Sequence, residues 1–129
     1  MSAAARGAEG WDGQQWSDVI DVAVVTLDGL IEKHGVPTFI KLDVEGFEAE
    51  ALAGLSKPVQ SLSFEFTTIQ RKVAQTCIDR CLSLGYRRFN AALGESQTLI
   101  GHWAHADEIV RWLEKLPDQA NSGDVYCSL

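Results

Sequence analysis

A chain of 129 residues, 46% of them apolar, is long enough to bury a core and too apolar to be mainly disordered, so one folded domain is expected. Its formal net charge of -7 repels phosphate backbones, which argues against nucleic-acid binding through a broad basic face while leaving room for a small basic pocket. No apolar stretch approaches the roughly 18–20 residues that span a bilayer, and the opening MSAAARGAEGWDGQQW lacks the apolar centre of a signal peptide. The expectation is a soluble, cytoplasmic protein with no membrane contact.

Residues 1–18, rich in Gly, Ala, Gln and Ser and punctuated by Trp11 and Trp16, read as an irregular N-terminal arm, and residues 19–129 as a single α/β domain. VIDVAVVTL, from Val19, is β-branched and apolar enough for a strand. Thr26 then caps a short helix that carries Leu27, Leu30 and Ile31 inward and stops at Gly35 and Pro37. TFIKLDV is the next strand, followed by Phe47, Ala51, Leu52 and Leu55 at helical spacing, with Glu48 and Glu50 outward. Lys57-Pro58 breaks that helix, and VQSLSFEF alternates Leu62, Phe64 and Phe66 against Ser61, Ser63 and Glu65, a half-buried strand.

The spacing of Val73, Ala74, Cys77, Ile78, Cys81 and Leu82 predicts a stronger helix, which Gly85 ends. YRRFNAAL reads as a strand, GESQTLIGHW as a loop or short strand, and DEIVRWLEKL as a helix with Ile109, Trp112, Leu113 and Leu116 inward. DVYCSL closes the chain as a strand alternating Val125, Cys127 and Leu129. Strands alternating with helices indicate βαβ units in a mostly parallel sheet with helices on its faces. The last strand is expected to run antiparallel at or near an edge, because no clean crossover precedes it.

Three cysteines, an odd number at loose spacing, make no disulfide framework, and Cys77 and Cys81 share one helical face as small buried groups. His102 and His105 form an H-x-x-H pair with no third ligand in sequence, which favours a loop or capping role over a metal. The chemistry gathers elsewhere. In open α/β sheets ligands bind beyond the carboxyl ends of the strands, where Asp43 and Glu45 fall. Glu65 closes the next strand and Asn90 lies towards the end of the one after. If these strands are parallel and adjacent, the four side chains share one rim, and Gly46 lets the backbone turn sharply there. Capping and solvation of the strand ends remain the competing explanation for each acid taken singly.

The stretch VVTLDGLIEKHGVPTFIKLDVEGFEAEALAGL resembles the FkbM family of S-adenosylmethionine-dependent methyltransferases. The matching positions are Thr26, Leu27, Asp28 and Leu30; then Lys41, Asp43, Glu45, Gly46 and Glu48; then Leu52 and Gly54. LSFEF is similar to the family's next strand and LGYRRFNAALGES to the segment after its helix, so the resemblance covers about residues 19 to 100 and extends to the last strand. It implies a partial Rossmann-like methyltransferase fold and methyl transfer to an acceptor oxygen. Asp43, Glu45 and Glu65 are then the catalytic candidates, orienting a small hydroxylated acceptor or taking its proton, and Lys41 and Asn90 are candidates for substrate binding.

The sequence departs from that pattern in one respect. Methyltransferases of this fold hold the cofactor with a glycine-rich loop after their first strand. Here RGAEGWDG carries glycines without a preceding strand pattern or a following apolar helix. The chain therefore resembles the C-terminal half of a methyltransferase domain, and a truncated form with little or no activity alone is expected. It should bind S-adenosylmethionine weakly or not at all. A metal bridging the carboxylates has thin support, and no metal site is assigned. The alternative is a non-catalytic module that self-associates as a homodimer, or covers itself with its arm, through the sheet edge left open.

Overall fold

Helix α1 (Leu27–His34) leads into strand β1 (Phe39–Leu42), helix α2 (Glu48–Ala53) and strand β2 (Ser61–Thr67). Helix α3 (Arg71–Leu84), strand β3 (Arg88–Leu93), helix α4 (Ala106–Lys115) and strand β4 (Ser122–Ser128) complete the chain. This is a computed structural model, and it describes residues 24–96 and 98–129. The expected arm and the start of the strand expected from Val19 lie outside those residues. Val24 and Val25, inside them, form no strand and are 95% and 61% exposed.

The sheet runs in the order β1-β2-β4-β3. β1 and β2 are parallel, with Leu42 opposite Phe64. β4 runs antiparallel to both of its neighbours, with Val125 opposite Phe64 on one side and Ala91 on the other. The α/β class is thus as expected, but among the described residues the sheet is mixed rather than mostly parallel, with β1–β2 its one parallel pairing. The last strand is antiparallel as expected and interior instead of at an edge. Two features make that place possible. Asn121, at φ 65°, turns the chain out of a short 3₁₀ segment into β4. Gly123 lets β4 slide between its neighbours, because a Cβ there would collide with the Ala92 carbonyl oxygen and the Phe66 ring.

One face of the sheet carries Leu42, Leu62, Phe64, Phe66, Phe89 and Cys127 into a core completed by α2, α3 and α4. Phe66 meets Trp112 of α4 edge to face, ring centroids 5.8 Å apart. The predicted stripe of α3 holds: Ala74, Cys77, Ile78 and Cys81 are buried, while Leu82 sits on the shoulder. Gly85, at φ 112°, ends the helix. The three thiols are free and buried, and burial pushes Cys77 up to about 12, which suits inert core groups.

Helix ends are tied by side chains. Thr26 Oγ1 accepts from the Gly29 N–H at 3.0 Å, the expected cap. Arg80 donates to the Leu52 and Leu55 carbonyls (3.2 and 2.6 Å), placing a cation on the end of α2. The Glu108 carboxylate accepts from the His105 N–H at 3.3 Å, so His105 starts α4 while His102 stays in the preceding loop. α1 is covered less than expected: it has no fully buried residue, and Leu30 is 42% exposed. Among the described residues no helix is long and apolar enough to cross a membrane.

Candidate functional site

The end of β1 passes into a tight turn, Val44–Phe47, closed by the Phe47 N–H on the Val44 carbonyl at 3.2 Å. Both central residues have positive φ, Glu45 at 50° and Gly46 at 97°, the signs found in a type I′ turn. Glycine adopts this region freely, but for glutamate it costs on the order of 1 kcal/mol and needs support from its surroundings. Glu48 supplies it. One of its oxygens accepts from the Val44 N–H (2.9 Å) and the other from the Gly46 N–H (3.0 Å). The helical spacing placed Glu48 outward, yet it is 2% exposed. The correction has a plain cause: the turn leaves two backbone donors without partners, and a carboxylate folded back beneath it satisfies both.

Because Leu42 pairs with Phe64, the next residues along the two parallel strands, Asp43 and Glu65, come side by side. Glu65 is partly exposed, and its carboxyl is pushed up from 4.5 to about 7. Burial is the largest cause, followed by the charge of Asp43, which is also its hydrogen-bond partner, and then by Asp124 and Glu48. Asp124 lies directly opposite Glu65 on β4, and burial raises its pKa, with Lys41 opposing the rise. Nothing local in the sequence marked Asp124, because only the interior position of β4 brings it here.

Of the residues predicted from sequence, Asp43 and Glu65 meet at the mouth, Glu45 stands on the adjoining wall, and Lys41 is exposed on its flank. Asn90 is elsewhere. β4 separates its strand from β2, and its side chain is engaged at both ends, donating to the Gly101 carbonyl (2.8 Å) and accepting from the Ala91 N–H (2.9 Å).

Beside the mouth lies a cleft of about 240 Å³ lined by Glu45, Gly46, Glu65, Thr67, Gln70 and Val73, among others. Gln70 packs so near Gly46 that a Cβ there would lie 2.9 Å from its Oε1. Thr67 Oγ1 is buried and has no hydrogen-bond partner among the described residues. The cleft thus combines carboxylates, an amide and a hydroxyl with an apolar wall, a set able to hold hydroxylated molecules. Among the described residues no group of three or more His, Cys, Asp or Glu side chains is placed to hold a metal ion.

Fold and site together define an α/β domain with an acidic crevice at the carboxyl ends of two parallel strands. The family model of the methyltransferase FkbM domain matches residues 2–119, and the chain belongs to that family, which is S-adenosylmethionine-dependent. The match includes residues 2–18, ahead of the stretch that carries the motifs. No curated protein matches the chain. For the cofactor the described residues fit poorly: the N–H of Gly46, the glycine at the cleft, is taken by Glu48.

The motif residues divide by task. Thr26 caps α1; Asp28 joins α1 to the end of α2, its N–H on the Gly54 carbonyl (3.0 Å) and its Oδ1 accepting from the Ser56 N–H (2.8 Å). Hydrogen bonding from Ser56 holds the Asp28 carboxyl below its usual range. Gly54 gives Thr26 room, since a Cβ at Gly54 would lie 3.1 Å from Thr26 Cβ. Lys41, Asp43 and Glu45 are the motif side chains left at the mouth or its walls.

Proposed function

We propose that this domain serves methyl transfer to a hydroxyl oxygen, and that the Asp43–Glu65 pair forms the acceptor side of the reaction. The observation that carries this reading is the carboxyl of Glu65, lifted to about 7 beside Asp43 at the strand ends. Such a group takes up and releases a proton near neutral pH, as a general base must. Ionised Glu65 accepts the proton of the acceptor hydroxyl, and protonated Glu65 then donates to the Asp43 carboxylate. Glu45 and Gln70, on the cleft wall, orient further hydroxyls of a small acceptor.

The family's cofactor supplies the methyl group when bound. The chain alone is proposed to bind S-adenosylmethionine weakly or not at all and to turn over little, a reading supported by the Gly46 N–H at the cleft being taken up by Glu48. Calorimetry is expected to show no stoichiometric binding; a tight one-to-one isotherm would overturn that part of the proposal. For the acceptor side, amide NMR with a panel of sugars and glycols is expected to move signals of residues 43–48 and 65–70. A panel that moves none of them counts against the site.

A second reading, a module that self-associates, has its own support. β1 ends the sheet with no strand partner on its outer side among the described residues. Along it lies a groove of about 400 Å³ lined by Leu27, Leu30, Ile31, Pro37, Phe39 and Ile40, among others, and unpaired edges flanked by apolar groups favour association. Light scattering is expected to report a dimer under this reading, and a monomer over a wide concentration range removes it.

A further inference from the structure

We propose that Glu48 is the positioning residue of this site, locking the Val44–Phe47 turn in its left-handed form and so keeping Glu45 on the wall of the cleft that it shares with Glu65. The inference rests on the proposed reading of the site, but its test uses the chain without any ligand.

Glu48 is a buried acid whose hydrogen-bond partners are two N–H groups of the turn, and no ion pair involves it among the described residues. A buried carboxylate is retained at a cost unless its oxygens are matched. Here the match is specific in length and in chemistry. An aspartate, one methylene shorter, keeps the charge but does not span both donors. A glutamine keeps the length but turns an NH₂ group towards one N–H, setting donor against donor. The two conservative variants therefore separate reach from charge.

Charge has its own consequence. Glu65 is faced by Asp43 after β1, Asp124 on β4 and Glu48 at the start of α2, with Lys41 nearby acting on Asp124. Removing the Glu48 charge lowers the proton affinity of Glu65, whereas shortening the side chain leaves most of that repulsion in place. One residue thus holds the backbone of Glu45 and adds a minor share to the proton affinity of Glu65, behind burial, Asp43 and Asp124, without belonging to the pair that handles the acceptor.

The experiment is NMR on the whole chain, following amide exchange at Val44 and Gly46 and the ¹³C carboxyl titration of Glu65 in wild type, E48Q, E48D and E50Q. Exchange at the two amides is expected to rise about tenfold or more in E48Q and E48D, as loss of roughly 1.4 kcal/mol of protection implies. The Glu65 midpoint is expected to fall in E48Q and stay near its wild-type value in E48D, with E50Q moving neither readout. Unchanged protection in E48Q, or a Glu65 midpoint that does not move there, overturns the proposal. Should the variants fail to fold, acid titration of the wild type decides. The Val44 and Gly46 amide shifts are expected to follow the Glu48 carboxyl curve, and tracking any other group overturns the inference. Failure of the methyl-transfer reading would leave all these signals as they are.

Discussion

Replacing Glu65 with glutamine keeps the shape of the mouth, and an amide donor for Asp43, while removing the group that binds the proton. The expected result is a flatter dependence of stability on pH. Folding raises this carboxyl from 4.5 to about 7, so the native chain holds the proton more tightly than the unfolded one. Its stabilising contribution is fully present below about 4.5, declines as pH rises through the interval, and is lost above about 7. At about 1.4 kcal/mol per pH unit the gap sets an upper limit of roughly 3 kcal/mol. Glu65 is partly exposed, and screening by solvent reduces the working figure to about 1–2 kcal/mol.

Urea unfolding of wild type and E65Q at about pH 5 and about pH 8 reads this difference, because other groups titrate in both proteins and largely cancel. Wild type is expected to lose about 1–2 kcal/mol more than the variant across that range, several degrees in Tm for a domain of this size. At the higher pH, E65Q should be the more stable of the two. Parallel pH profiles, or a variant weaker than wild type at about pH 8, would refute the argument that the mouth forces a proton onto Glu65.

Gly46→Ala is expected to cost about 1–2 kcal/mol in chemical denaturation, mainly from a φ of 97°, since Gln70 can swing its flexible end away; an unchanged midpoint would contradict the strained turn. Tyr86→Phe strips the partner from the buried Val59 N–H, which now donates to the phenol oxygen at 2.9 Å, and should cost about 1–3 kcal/mol; a neutral substitution would mean that the amide finds another acceptor. A thiol reagent at neutral pH is expected to leave Cys77, Cys81 and Cys127 unmodified in the native chain and to label all of them after unfolding. Rapid labelling of any one in the native state would show the core to be open there.

Local signals were readable where local chemistry decides. Thr26 started a helix and Gly35 and Gly85 ended helices as their residue types predict, and the alternation of Leu62, Phe64 and Phe66 gave a strand with one apolar face. The place of β4 was not readable, because Val125 and Cys127 alternate in the same way whether one neighbour or two supply the hydrogen bonds. What admits the strand is the clearance at Gly123, visible only once Ala92 and Phe66 are opposite it. The same non-local step hid Asp124 and moved Asn90 away from the mouth. Glu48 was misread for a different reason: helical periodicity assigns a direction on the assumption that the backbone before the helix has no unmet donors. Its offsets, four residues after Val44 and two after Gly46, were in the sequence, but they gain meaning only with the left-handed turn.

The treatment of negative charge at the mouth is consistent with the proposed chemistry. The charges of Asp43, Asp124 and Glu48 bear on Glu65, and that of Asp43 also on Asp124, and carboxylates ionised together at such a mouth repel. The fold answers differently at each. Backbone donors absorb the charge of Glu48, Lys41 eases that of Asp124, and Glu65 is left beside Asp43 with its carboxyl raised to about 7. A purely structural mouth would gain by a neutral residue at Glu65, since the acid lowers stability as pH rises through about 7. Under the proposed reading, Glu65 is the group that takes a proton from a hydroxyl, and a site with that task keeps such a group at the expense of stability.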